Sequence, residues 1–481
     1  MRTEHPAWRI VRTTLDAAAA ASVAAALGLL LLGPMRTVLS GTPVTVRWSH
    51  AVFTAIALAA LRHAMSATPP VWVTMPGWVR WIGRRPNLAD ALLAFGLTRP
   101  AVLAVGFVAV VTFGVLPSTE QPAHPRHALR DLPARFDANW YAGIALDGYH
   151  WQHSFERQQN IAFFPAYPML MRAVGTLTGA FDERLPRTRR IARLTWAGLL
   201  VALVAFVFAA WYFAALAREL LGPERVRSAV ILLAGYPFAV FFSAAYTESL
   251  FLLAALGAWY HARHRQYGRA GAWGLLLGLT RPNGFFLTLP LGLIALGMRD
   301  GPPHRSASGR IPGFAPGVSR GGVAAASMPA VGMLLFTVWL HQYSGVWFAW
   351  ARVHAAWGRV LGVAAPDAIL ERVSSLGLVQ LVTDHPYQSL NAVGLVFASS
   401  LIWPVWRHLG PAWTGYLLLN VLPPLFAGGL LSMGRLTATM FPLFLALAAV
   451  LPPRAVAAVA VLSGLLQGLV AALFYTWRDV Y

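Results

Sequence analysis

The chain has 481 residues, of which 57% are hydrophobic and 12% charged. Soluble domains carry about 25% charged residues, so this composition, with a mean hydropathy of +0.57, excludes an ordinary water-soluble globular protein. The net charge of +20 argues less for a nucleic-acid partner than for a membrane chain whose Arg residues lie between apolar runs and set its topology.

Apolar runs of helix-spanning length recur from end to end, continuous rather than alternating, so the spans are helices and not the strands of a barrel. Arg2, Arg9 and Arg12 precede the run from Ala17 to Leu32. Gly33-Pro34-Met35-Arg36 is a poor small-x-small cleavage site, so this reads as an uncleaved first helix, 17–33, with a cytoplasmic N-terminus. A second helix covers 48–65. The amphipathic stretch 66–96, with Arg80, Arg84 and Arg85, belongs inside. A third helix at 99–117 then places 118–160 outside, where Pro117, Pro122, Pro125 and Pro133 precede a short helix at 136–147.

Residues 162–180 open with Pro165 and Pro168 and fit either a crossing or a surface segment. Apolar runs follow at 194–217, 228–244 and 249–264. The stretch 271–298 is broken at Thr280-Arg281-Pro282-Asn283-Gly284, an interruption of the kind that marks binding sites in membrane segments. Residues 299–325 are rich in Gly, Pro, Ser and Arg and read as a cytoplasmic linker. Helices at 326–343, 389–408, 412–431, 437–451 and 454–475 follow, with an outer polar loop at 344–388. The expectation is an all-α polytopic fold of about 12 or 13 membrane segments in one domain, 1–481. Within it, 1–117 are N-terminal helices, 118–160 an outer loop, 161–298 core helices, 299–325 the linker and 326–481 C-terminal helices. All 38 basic residues other than His are Arg and none is Lys, which with abundant Ala, Gly and Pro suggests a GC-rich bacterial genome. Cys is absent, which excludes disulfides and thiolate metal sites.

The outer loop carries the densest chemistry. Asp137, Tyr141 and Ile144 share one helix face. An acid among aromatics beside a membrane suits a general base, and on spacing alone it equally suits a helix N-cap. Glu248 opens an apolar run, where a carboxylate is either functional or a helix-capping acid. Arg281 and Arg435 are cations at helix ends, where an arginine can serve as an anchor. Trp140, Tyr141, Tyr149 and Phe164 fit an interfacial aromatic belt. His150, His153 and Glu156, with Arg157 beside them, are a weak metal signal, and we expect no metal.

These motifs, Phe136-Asp-x-x-Trp-Tyr-x-x-Ile-Ala-x-x-Gly-Tyr followed by Ala162-Phe-Phe-Pro-x-Tyr-Pro, resemble the GPI mannosyltransferase family of PIG-V type, among the GT-C membrane glycosyltransferases. Ser243-Ala-Ala-Tyr-Thr-Glu-Ser-Leu-Phe, Gly268-Arg-Ala-Gly, Thr280-Arg-Pro-Asn-Gly, Ser432-Met-Gly-Arg-Leu and Phe441-Pro-Leu-Phe extend it in the same order over roughly 135–445. Phe136 departs from a usual Trp, Leu436 from a common Tyr, and the first helices look additional. The resemblance implies a polyprenyl-phosphate sugar donor, usually mannose, a lipid or glycolipid acceptor and inversion at the sugar. It also implies Asp137 as base, Glu248 as supporting acid, Arg435 and Arg281 at the phosphate, Asn139, Trp140, Tyr141, Tyr149 and Phe164 around the sugar or acceptor, and no metal or other cofactor. Its setting is the outer face of a bacterial plasma membrane. Another sugar such as arabinose or glucose, a protein acceptor, or a flippase or secondary transporter are the competing readings; oligomeric state is left open.

Overall fold

The computed structural model describes residues 6–32, 35–39, 42–65, 81–116, 127–297, 319–360, 362, 364–375 and 378–480. Residues 299–318 of the expected linker, 66–80 of the stretch 66–96 and the first prolines of the outer loop therefore lie outside the described residues. The described chain is overwhelmingly helical, as expected, and its contacts divide it into two units, Met1–Ala89 and Asp90–Tyr481.

The first unit is a pair of helices, Pro6–Leu32 and Trp48–Met65. Between them in sequence lies an antiparallel two-stranded ribbon, Met35–Leu39 with Thr42–Val46, in which Thr37 faces Val44. The ribbon was not foreseen, although two β-branched runs separated by two residues are its usual signal. Asp16 and Arg62, both almost wholly buried, pair across the two helices at 3.0 Å.

In the second unit, Pro86–Phe113, Arg187–Leu221, Arg320–Ser344, Pro386–Leu409 and Pro453–Tyr475 are long and apolar enough to cross a bilayer. The protein is thus a multi-pass membrane protein. Of the other apolar runs, Glu248–Arg263 and Pro411–Gly428 are single helices that fall short of that length or hydropathy, and one run is sharply bent. The run expected as one helix at 228–244 bends by 80° between Pro223–Ala234 and Pro237–Ser243. Pro237 removes a donor and keeps Tyr236 out of the helical region, where it sits at φ −56°, ψ 139°. The freed carbonyls need partners inside a membrane. Fully buried Arg99 donates to Ala234 O at 2.6 Å and to Ala239 O, and Gln467 Nε2 donates to Ala234 O and Tyr236 O at 2.9 Å.

Several boundaries differ from the sequence reading; the helix expected at 17–33, for one, begins at Pro6. The helix expected at 99–117 begins at Pro86, a proline at the first helical position where its missing N–H costs nothing. The segment 162–180, which fitted either a crossing or a surface segment, forms a 12-residue helix, Ala166–Leu177, about 18 Å long and too short to cross. The outer polar loop 344–388 contains helical turns at Ala349–Val353, His354–Trp357, Ala364–Ser375 and Leu378–Asp384.

The core is centred on Glu248–Arg263, a helix buried on nearly every side, as an all-round apolar helix must be. Trp259 packs on Trp413 with ring centroids 4.2 Å apart. Beside it, Tyr267–Thr280 approaches Arg320–Ser344 backbone to backbone. A Cβ on Gly278 would lie 2.0 Å from Pro329 O, so this crossing needs glycine, as close helix contacts in membranes commonly do.

Candidate active site

Asp137 stands at the N-cap position of the helix Ala138–Asp147, yet its side chain makes no capping hydrogen bond. The chain before it is firmly anchored. Arg135 is buried and donates through Nε to Tyr475 O at 2.6 Å and through Nη1 to Asp131 O at 2.6 Å. Phe136 holds φ at +45°, an uncommon conformation for a bulky residue, and packs on Phe474 and Trp477. The Asp137 backbone N–H donates to the Tyr246 hydroxyl at 3.0 Å.

With its cap role unused, the Asp137 carboxylate reaches Arg435, whose Nη1 donates to Oδ2 at 2.7 Å. Arg435 also donates through Nε to Glu248 Oε1. Arg281 Nη1 donates to the same oxygen at 2.6 Å. Asp137, Arg435, Glu248 and Arg281 therefore form one chain of alternating charge. Glu248 is fully buried and Arg435 nearly so. Isolated buried charges of this kind would be strongly unfavourable; alternation and hydrogen bonding make them tolerable. The Arg435 guanidinium also lies 4.5 Å from the Tyr246 ring centroid.

Local sequence explains how the two arginines arrive. Pro282 excludes Arg281 from the helical region. Arg281 ends Tyr267–Thr280 in an extended conformation, φ −155°, ψ 151°, before the 3-10 turn Pro282–Leu287. Arg435 rides on a short helix of its own, Met433–Ala438, between the helices expected at 412–431 and 437–451. Left-handed Ser432 at φ +62° starts it. Buried Asn391 fixes it by accepting from the Gly434 N–H at 2.9 Å.

Of the other sequence candidates, Tyr141 is nearest. Its hydroxyl is 3.5 Å from Thr247 Oγ1, and burial pushes that hydroxyl up to about 12. Trp140 stacks on Phe163 at 5.9 Å and meets Trp357 edge-on at 6.0 Å. Asn139 is exposed and, with Trp140, lines a separate cavity of about 350 Å³ along the outer side of its helix, beside Asp147, His150, Gln152, Asn160 and Arg187. Tyr149 and Phe164 are not brought to the charge chain. They pack with Phe336, Trp339 and Trp350 in a second aromatic cluster. Among the described residues, no three His, Cys, Asp or Glu side chains converge as metal ligands.

Sequence reading missed two residues, His354 and Arg359, which lie within electrostatic range of Asp137 and Arg281. Trp357, between the two in sequence, rests on Trp140 and Phe163. His354 Nδ1 lies 2.8 Å from Trp350 O. A carbonyl only accepts, so Nδ1 carries the proton. Burial, with Arg359 beside it, lowers the His354 imidazole to about 4, so the ring is neutral and Nε2 is a bare acceptor. Left-handed Gly358 (φ +74°) then turns the chain, and Arg359 Nη2 donates to Leu431 O at 3.3 Å.

Fold and site together define a multi-pass helical membrane protein with a buried acid–arginine chain set among aromatic side chains. The family model described as Mannosyltransferase (PIG-V) matches residues 124–287, which bears out the resemblance over that stretch. It includes Asp137, Glu248 and Arg281, whereas Arg359 and Arg435 lie beyond it. No curated protein matches the chain. The family match supports a glycosyltransferase of mannosyl type.

Proposed function

We propose that the protein moves mannose from a polyprenyl-phosphate donor to a hydroxyl of a lipid or glycolipid acceptor at the outer face of a bacterial plasma membrane. Asp137 is the general base. Its proton comes from the acceptor O–H as that oxygen bonds to the anomeric carbon. The bond from this carbon to the phosphate oxygen breaks, polyprenyl phosphate departs, and a single displacement inverts the sugar centre. A positioned base of this kind contributes about 10²–10⁴-fold.

The observation that carries this reading is the Asp137–Arg435 contact at 2.7 Å between residues 298 apart in sequence. It engages Oδ2 and leaves Oδ1 with no protein donor among the described residues. An acid used only as a helix cap would have no reason to meet a buried arginine. Four charged groups gathered in one cluster also favour a transferase over a carrier, whose polar groups would line a path between two openings.

The test is transfer by purified protein from polyprenyl-phosphate mannose to candidate lipid acceptors. Asp137→Asn is expected to lower turnover at least about 100-fold while its thermal unfolding stays cooperative. Near-normal turnover in that folded variant removes the assigned base.

A further inference from the structure

In the charge chain, Asp137 and Glu248 balance Arg281 and Arg435. Both arginines already hold a carboxylate. Arg359 lies close enough for the charges of Arg435 and Arg281 to act on it, yet no ion pair with a carboxylate holds it among the described residues. The one carboxylate whose charge acts on it, Asp137, is already gripped by Arg435. Burial, then the neighbouring cations, lower its guanidinium to about 10, so it remains charged at neutral pH. His354 beside it is neutral and offsets nothing. A half-buried guanidinium within electrostatic range of two others is unfavourable unless an anion joins it.

The geometry points to Arg359 as the residue that binds the phosphate of the lipid-linked sugar donor. This rests on the function proposed above and assigns a contact within it. A phosphodiester carries one negative charge, which matches the single surplus cation. As the sugar leaves, negative charge grows on that phosphate, and a planar guanidinium can meet two of its oxygens. Arg359 is held for this by backbone contacts: its N–H donates to His354 O at 3.2 Å and its Nη2 to Leu431 O, next to the turn that launches Arg435. Trp357, two residues earlier, meets Trp140 edge-on, so the phosphate contact and the base-bearing helix are linked through one ring contact.

The experiment measures binding of polyprenyl phosphate, and separately of the uncharged polyprenol, to wild-type protein, Arg359→Gln and Arg359→Lys in the same detergent. Loss of one charge-assisted contact predicts affinity for the phosphate about tenfold or more weaker in Arg359→Gln. Arg359→Lys should be partly restored, and affinity for polyprenol should not change. Equal phosphate affinity in wild type and Arg359→Gln overturns the assignment, as does parallel weakening toward polyprenol, which would mark a structural residue. Wild-type protein that fails to bind polyprenyl phosphate at all would instead overturn the proposed function.

Discussion

Glu248 joins the two arginines, and its removal tests how the charges are held. Glu248→Gln keeps the shape but leaves the Arg281 and Arg435 guanidiniums facing each other without the intervening charge. Removing one partner of a buried ion pair typically costs about 3–5 kcal/mol. The variant is expected to unfold at clearly lower temperature and to lose transfer, and an unchanged unfolding temperature would show that the charges are not truly desolvated. His354 supplies a pH signature. Its imidazole is lowered to about 4 in the folded chain, against about 6.5 when unfolded. The unfolded state therefore binds the extra proton between these values, and stability is full above pH 6.5 and falls as pH drops toward 4. His354→Asn should flatten that part of the unfolding-temperature profile; identical slopes would mean the ring is not buried in its neutral form.

At the scale of elements, the site depends on helices that stop in the right places. The break after Thr280 was legible because Arg-Pro-Asn-Gly interrupts an apolar run, and it is what frees Arg281 from its helix. The 80° bend at 235–237 was not foreseen, although Tyr236-Pro237 within an apolar run and an arginine at position 99 were both signals of it. Asp137, Glu248, Arg281 and Arg435 could be chosen individually by residue type and resemblance. Their pairing could not, because contacts between residues 187 and 298 positions apart leave no trace in one sequence. His354 and Arg359 were invisible for a related reason: a lone His and Arg in a polar loop carry no periodicity, and only packing brings them within range of the cluster. The close crossing at Gly278 offers an element-level test. Gly278→Val should push Tyr267–Thr280 away from Pro329, costing about 1–3 kcal/mol as overpacking does. A variant that unfolds at the wild-type temperature would mean the two helices do not meet that closely.

For the whole molecule, the division at Ala89/Asp90 places every proposed site residue in the second unit. The ion pair Asp16–Arg62 is internal to the first. A chain beginning at residue 85 is therefore expected to insert, to unfold cooperatively and to retain transfer within a few-fold of the full chain. Loss of transfer with retained folding would assign the first two helices a direct part in substrate handling.

The tether between Arg135 and the Tyr475 carbonyl spans 340 positions of the chain. During synthesis the outer loop emerges early, long before the segment that will hold it in place. Until Pro453–Tyr475 has been inserted, the aspartate's support is incomplete and the nascent protein should be catalytically silent. A released chain ending before Pro453 would thus hold the base and both paired arginines yet fail to process a lipid-linked sugar.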